Sequence, residues 1–327
     1  MPTIYRPGQN IDHYRIIRVL GQGGASRVYL AWDHLAQQEV VLKFPNDEEI
    51  GGVVIFERYL REAKIGKLLI HPALQQHLNQ EEKRSTNYLV LEYLQGHVLR
   101  EVIHEYAPAL LPTEQVLEIM SQVCETLVYV HKQGVIHQDI KPDNIFLLES
   151  GRIKLLDFGI ALLVDEKNKK QWSGIAQLVG TPDYMAPERL EGQTGTIRSD
   201  IYAVGVVLYE LLCGRTPFQE TDGFAMISKH VSHDPPDILQ FQLQLSPALA
   251  TVVMRAIRRN PDRRYESMQE LWYDLKHLEQ VTPLSYVPDR PRLGGRFRPI
   301  LHIAMIIFLV SLVIVVIGII AQFVHQG

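Results

Sequence analysis

Residues 135–147 read VIHQDIKPDNIFL. Asp139, Lys141 and Asn144 stand at i, i+2 and i+5, and Asp157 follows in the stretch DFG at 157–159. In-line phosphoryl transfer asks for a carboxylate near the attacking hydroxyl, a cation near the transferred group and oxygen ligands for Mg²⁺. Asp139 can accept the hydroxyl proton and Lys141 can neutralise developing charge. Asn144 and Asp157 can supply hard oxygen ligands of the kind Mg²⁺ prefers. Two apolar runs, NIFLL and IKLLDF, flank Ser150–Gly151 and predict a hairpin with Asp157 on its far side.

Upstream, Leu20-Gly21-Gln22-Gly23-Gly24-Ala25-Ser26-Arg27-Val28 lies between two strand-like alternations. Glycines let a backbone approach phosphate without a Cβ clash, and its N–H groups can bind anionic oxygens. A plain structural turn explains the glycines equally well. The stretch runs into another strand, so it does not fit the helix-opening dinucleotide fingerprint. Lys43 sits in the apolar run VVLKF, and Glu62 lies nineteen residues on, in 53–70, whose apolar spacing is helical. A buried Lys demands a partner. Either Lys43 and Glu62 pair between strand and helix, or Lys43 is a surface residue of an edge strand and Glu62 is solvated. YLVLEYL at 88–94 reads as a buried strand.

Beyond Gly96 the pattern turns helical. A helix is predicted from Pro112–Thr113 to a stop at Gly134. DIYAVGVVLYELLC at 200–213 is nearly all apolar and predicts a buried helix, and two more helices are expected over 246–259 and 266–280. The 327 residues are 46% hydrophobic, too long for one small core, with a formal net charge of -4. Two lobes are expected, and a nucleic-acid partner is not, since that needs a basic face. Cys124 and Cys213 lie in no CxxC or Cys/His cluster, which reads as two reduced, mostly buried thiols.

The N-terminus lacks a signal-peptide pattern. Ile303–Ala321, IAMIIFLVSLVIVVIGIIA, carries no charge and one polar side chain, Ser311. As a helix it would span roughly 28 Å, the thickness of a bilayer core. Arg290, Arg292, Arg296 and Arg298 precede it, and no Lys or Arg follows it. The positive-inside rule then puts the bulk of the chain in the cytoplasm, with a very short tail outside a cell membrane crossed once. Residues 281–299, rich in Pro, Gly and Arg, read as a juxtamembrane tether. Ala304, Ser311 and Gly318 recur every seven residues, either as a homodimer face or by chance.

Taken together, the glycine stretch with Val28, Lys43, Glu62, HxDxKxxN from His137 to Asn144, DFG, and APE at 186–188 resemble a protein kinase. Asp200 in RSDIYAVG and Arg264 in NPDRRY belong to the same pattern. The style is that of the bacterial membrane-tethered Ser/Thr kinases. The resemblance covers about 12–280. It implies an α+β bilobal fold: a small β-rich N-lobe over about 12–94 and a larger α-helical C-lobe over about 95–280, to which the apolar run at the C-terminus adds one transmembrane helix over 300–322. It also implies ATP with Mg²⁺, or Mn²⁺ in its place, and protein substrates.

By position, Leu20, Gly21, Gly23, Gly24, Ser26 and Val28 should cover the nucleotide. Lys43 should contact its α- and β-phosphates and pair with Glu62. Glu92 to Leu94 should bind adenine through the backbone, with Leu91 guarding the pocket behind. Asp139 is the expected base, assisted by Lys141, and Asn144 and Asp157 are the expected metal ligands. Glu188 and Arg264 should form a buried ion pair, Asp200 should anchor the catalytic loop, and His137 should pack rather than act as a base.

Three positions depart from the family pattern. Gln138 stands where Arg is common, the Arg that docks a phosphorylated activation loop. Gln138 removes no catalytic group, so activity should not depend on that phosphate. Ser173 is the candidate phosphosite, while Thr181 is expected at the substrate. Val41 and Phe146 stand where Ala and Leu are usual and should flank adenine, either narrowing the pocket or being absorbed by neighbouring side chains. The alternative to an active kinase is a catalytically inactive kinase-fold scaffold at the membrane. Loss of Lys43, Asp139 or Asp157 would have favoured it, and all three are present.

Overall fold

The computed structural model describes residues 5–23, 26–46, 52–164, 182–220 and 222–284. Gly24, Ser173, Thr181, the tether from 285 onward and the apolar segment 303–321 lie outside the described residues. Among the described residues no helix is long and apolar enough to cross a membrane.

The first lobe is a sheet with one helix. Strands β1 (Asn10–Ile11), β2 (Tyr14–Gln22), β3 (Ser26–Asp33) and β4 (Gln38–Pro45) run in sequence. They are followed by helix α1 (Gly52–Leu68), β5 (His77–Leu78) and β6 (Leu89–Glu92). The sheet order is β1-β2-β3-β4-β6-β5, antiparallel throughout. Alternation in β4 sorts its side chains between two cores. Val40, Leu42 and Phe44 join Tyr14, Tyr29 and Val90 on one face. Val41 packs with Leu89 and Leu91 on the other, beside Tyr59 and Ala63 of α1. Lys43 shares the face of Val41, and so it points towards α1.

The run 88–94 forms a shorter strand than its sequence predicts. Pairing ends at Glu92, whose carboxylate accepts the Gln76 N–H at 2.8 Å and an ion pair from Lys154. The chain then leaves the sheet and enters the second lobe.

That lobe opens with β7 (Gly96–Val98), α2 (Leu99–Tyr106) and α3 (Thr113–Lys132). Short strands follow: β8 (Val135–Ile136), β9 (Ile145–Leu148), β10 (Ile153–Leu155) and β11 (Leu162–Leu163). The helices α4 (Pro187–Leu190), α5 (Ile197–Cys213), α6 (Gly223–Ser232), α7 (Pro247–Ala256) and α8 (Met268–Lys276) complete it. Gly134 has φ +71, the left-handed value that ends a helix. Helix α5 is buried along nearly its whole length, as its composition requires. At Gly205 a Cβ would fall 2.6 Å from Ile257 Cγ2 and 2.8 Å from Ala256 Cβ, so only glycine lets α7 approach this closely.

The expected hairpin is present as β9 and β10, with Ile145 opposite Leu155 and Phe146 opposite Lys154. Strand β8 pairs with β11. The stretch 137–144 is thus held between two small sheets, with Asp157 just beyond β10.

Buried His230 is expected to make the second lobe acid-sensitive, alongside buried His137, whose pKa is also lowered. His230 is 1% exposed, its ring 4.7 Å from that of Phe218, and burial pushes its pKa down to about 4. That is below the unfolded value, so the folded state favours the neutral ring. Its stabilisation is complete above about pH 6.5 and is lost as pH falls to about 4, amounting to about 3 kcal/mol. Melting temperature should therefore fall across this window, and His230→Leu should flatten the slope. An unchanged slope in the variant would contradict the assignment.

Candidate active site

A cavity of about 290 Å³ opens between the lobes, lined among others by Ser26, Lys43, Glu62, Asp139, Lys141 and Asp157. Lys43 Nζ lies 2.7 and 2.9 Å from the two oxygens of Glu62, and 3.2 Å from Asp157 Oδ1. Of the two sequence readings of Lys43, the structure has the ion pair. Glu62 is 5% exposed on α1. Burial opposes charge on Lys43, yet Asp157 and Glu62 outweigh it and raise its pKa. Desolvation opposes charge on Asp157, but its side chain is 44% exposed, and Lys43 and the Gly159 N–H hold its carboxyl below the usual carboxylate range. Burial pushes Glu62 up to about 7 against the pull of Lys43. One ammonium therefore serves two carboxylates, with Glu62 the nearer of the two.

Asp139 is oriented from both sides of its loop. Lys141 Nζ lies 2.9 Å from Asp139 Oδ2, and Asn144 Nδ2 donates to the same oxygen at 2.8 Å. Both contacts fall on Oδ2, so Oδ1 is left to face a hydroxyl. The loop backbone is clamped by Asp200, which accepts the His137 N–H at 2.9 Å and the Gln138 N–H at 2.8 Å. His131 Nε2 lies 2.8 Å from the same carboxylate. Burial would push Asp200 up, but these contacts keep its pKa lowered. His137 is fully buried, and burial lowers its pKa. Its Nδ1 accepts the Asp139 N–H at 3.3 Å, so Nε2 carries the proton and donates to the Leu156 carbonyl at 3.1 Å. This ring packs and positions.

Gln138 and Asp157 both adopt left-handed backbone, with φ +67 and +56. Two such residues flanking one cavity are costly unless the surroundings enforce them. Here Asp200 grips the Gln138 N–H, and the Asp157 carboxylate accepts the Gly159 N–H at 3.0 Å.

The remaining sequence candidates spread over the two lobes. Gly21 pairs with Val28 across β2 and β3, and Leu20 sits at a bulge between Val19 and Gly21, 36% exposed. The Gly23 N–H donates to the Ser26 carbonyl at 2.9 Å. A Cβ at Gly21 or Gly23 would meet nothing within 4 Å, so neither packing nor φ calls for glycine there. Val41 lies between Leu30 and Leu91 in the first sheet, and Phe146 between Val98 and Lys154 in the second. Leu94 is buried after the last strand of the first lobe. The Glu92 carbonyl accepts Gln75 Nε2 at 3.1 Å and keeps a second lone pair.

Sequence reasoning missed Arg58, which also lines the cavity. Burial lowers its pKa, against the pull of Asp157 and Asp139. Its spacing of i, i+4 to Glu62 was the available signal, since it puts both residues on one helix face.

Residues 14–274 match the family model of the protein kinase domain. The serine/threonine-protein kinase PknB of Mycolicibacterium smegmatis is 33% identical over 287 residues, which cover 86% of this chain and 45% of that protein. The serine/threonine-protein kinase PrkC of Bacillus subtilis is 32% identical over 268 residues, covering 80% and 40%. This chain spans less than half the length of these curated relatives. A double mutant of the Mycobacterium tuberculosis PknI kinase domain superposes with a TM-score of 0.67 at 25% identity. That match covers 84% of this chain and 99% of the other.

Proposed function

This chain belongs to the protein kinase superfamily, in its bacterial eukaryotic-like Ser/Thr branch, and we propose that it transfers the γ-phosphate of ATP to Ser and Thr hydroxyls of proteins, itself included. The carrying observation is one cavity that gathers Lys43, Glu62, Asp139, Lys141 and Asp157, with Asp139 Oδ1 left open.

The donor set suits Mg²⁺ and a nucleotide. Asn144 Nδ2 makes both of its contacts to Asp139, which turns Oδ1 into the atom available to a cation. Asp157 spends Oδ1 on Lys43 and Gly159 and keeps Oδ2. Among the described residues no group of three or more His, Cys, Asp or Glu could hold a metal alone. Asn144 and Asp157 would therefore share the ion with phosphate oxygens, as Mg²⁺ sites of this kind do. The open space over Gly21 and Gly23 suits close approach of phosphates to backbone.

Mg²⁺–ATP supplies the electrophilic phosphorus and the cation that offsets its charge. Lys43 fixes the phosphates, with Glu62 fixing Lys43. Asp139 Oδ1 would orient the incoming hydroxyl and take its proton as the new bond to the γ-phosphorus forms, while the bond from that phosphorus to the β–γ bridging oxygen breaks and ADP leaves. Lys141 offsets charge on the transferred group. The scaffold alternative is not favoured, because Lys43, Asp139 and Asp157 line one cavity.

We also propose kinase boundaries of 12–280, a tether over 281–299, and a single membrane helix over 300–322, with the kinase on the cytoplasmic face. The sequence features at the C-terminus support that part of the reading. The test is the full chain in detergent with Mg²⁺, γ-labelled ATP and a generic protein acceptor, followed by hydrolysis to phosphoamino acids. Label in phosphoserine and phosphothreonine is expected. ATP binding without label would favour the scaffold.

A further inference from the structure

Gln138 replaces a common cation, and the structure shows where another cation stands instead. Arg189 follows Glu188 in α4 and is 5% exposed. Its Nη1 lies 3.5 Å from the carbonyl oxygen of Gln138. Arg189 Cδ and Gln138 Oε1 each come within 3.0 Å of the point that a Cβ on Gly195 would occupy. Both side chains border the space over Gly195, a residue that has none. Burial opposes the charge of Arg189 and lowers its pKa, while Asp200, Asp139 and Glu188 act to keep it protonated.

The carbonyl that Arg189 faces belongs to the peptide joining residues 138 and 139. The N–H of that peptide donates to His137 Nδ1 at 3.3 Å. The peptide plane preceding the Asp139 Cα thus has His137 at one edge, at 3.3 Å, and Arg189 at the other, at 3.5 Å. The plane follows a left-handed residue, Gln138 at φ +67, whose own N–H is held by Asp200. A small rotation here would swing the Asp139 carboxylate, and a misplacement of about 1 Å can cost about a hundredfold in rate.

We propose that Arg189 is a positioning residue for Asp139, supplying from α4 a cation beside the catalytic loop, and that Gln138 is the neutral partner that leaves room for it. This rests on the kinase reading above. An Arg at 138 would place a second guanidinium beside the buried one, and like charges at close range in a poorly solvated site repel strongly. The cation on α4 is part of the folded C-lobe, next to the Glu188–Arg264 pair, so it does not wait on a phosphate to be placed.

The test is a charge swap in the full chain: R189Q, Q138R and the double variant, with kcat, KM for ATP and melting temperature measured for each. R189Q should lower kcat about tenfold to a hundredfold with little change in KM. Q138R should lower kcat and melting temperature together. The double variant should recover most of both losses, which a purely structural role for either residue alone would not produce. If R189Q does not fold, R189K carries the test, since it keeps the charge and loses the planar fork. A reduced kcat at unchanged KM is then expected, and parental kcat would overturn the proposal. Parental kcat in R189Q would also overturn it, as would a double variant no better than the two losses combined. A parent chain that transfers no phosphate would instead sink the kinase reading, and this proposal with it.

Discussion

Asp139→Asn should lower phosphoryl transfer by about 10²–10⁴-fold, the usual contribution of a positioned base, while nucleotide binding stays near parental. The substitution keeps the size of the side chain and one oxygen. The contacts from Lys141 and Asn144 to this residue can therefore largely persist. What disappears is the ability of the second oxygen to take a hydroxyl proton. Lys43, Glu62 and Asp157 are untouched, so a nucleotide still finds its cation. Steady-state rates beside a direct ATP titration separate the two effects. A variant that transfers at the parental rate would remove Asp139 from the chemistry. A variant that loses ATP binding would show that its role is structural.

Arg264→Met should destabilise the C-lobe by about 3–5 kcal/mol, the range expected when one partner of a buried ion pair is removed. Arg264 is 2% exposed and every N–H it owns is used. Nη1 and Nη2 each donate to one oxygen of Glu188 at 2.8 Å. Nε donates to the Arg258 carbonyl at 2.7 Å, Nη1 to that of Arg198 at 2.9 Å, and Nη2 to that of Arg259 at 3.0 Å. The guanidinium also lies over the Tyr202 ring, 4.8 Å from its centroid. Removing it leaves Glu188 a buried carboxylate with Ser199 as its remaining side-chain donor, and takes one donor from each of three carbonyls. Lys cannot span this arrangement, because the fork is planar and five-pronged. Arg264→Lys should therefore recover only part of the loss. Chemical denaturation of both variants measures it, and a change under 1 kcal/mol in Arg264→Met would contradict the packing described here.

The parts of the fold legible in the sequence are those with a strong local pattern. The apolar run VVLKF marked a strand around Lys43, and the run at 200–213 read as a buried helix because it is nearly all apolar. The hairpin at 145–155 followed from its turn residues. Helix α2 was not delimited, since it is short, starts at Val98 without a side-chain cap and buries only Leu99 and Val102. The early end of β6 was also hidden, because it depends on Gln76 and Lys154, far away in sequence. At the site, residue types and spacing pointed to Asp139, Lys141, Asn144 and Asp157, and the structure gathers Asp139, Lys141 and Asp157 around one cavity. The left-handed backbone at 138 and 157, and the approach of Arg189 to Gln138 across 51 residues, arise through space and left no periodic trace.

The most direct test of a catalytic loop assembled without a docked phosphate is the turnover of the full chain after exhaustive phosphatase treatment. It is measured over the first few catalytic cycles, beside the untreated chain. Undiminished initial transfer is expected. A rate that collapses on treatment, and returns only as activation-loop phosphate is restored, would contradict it.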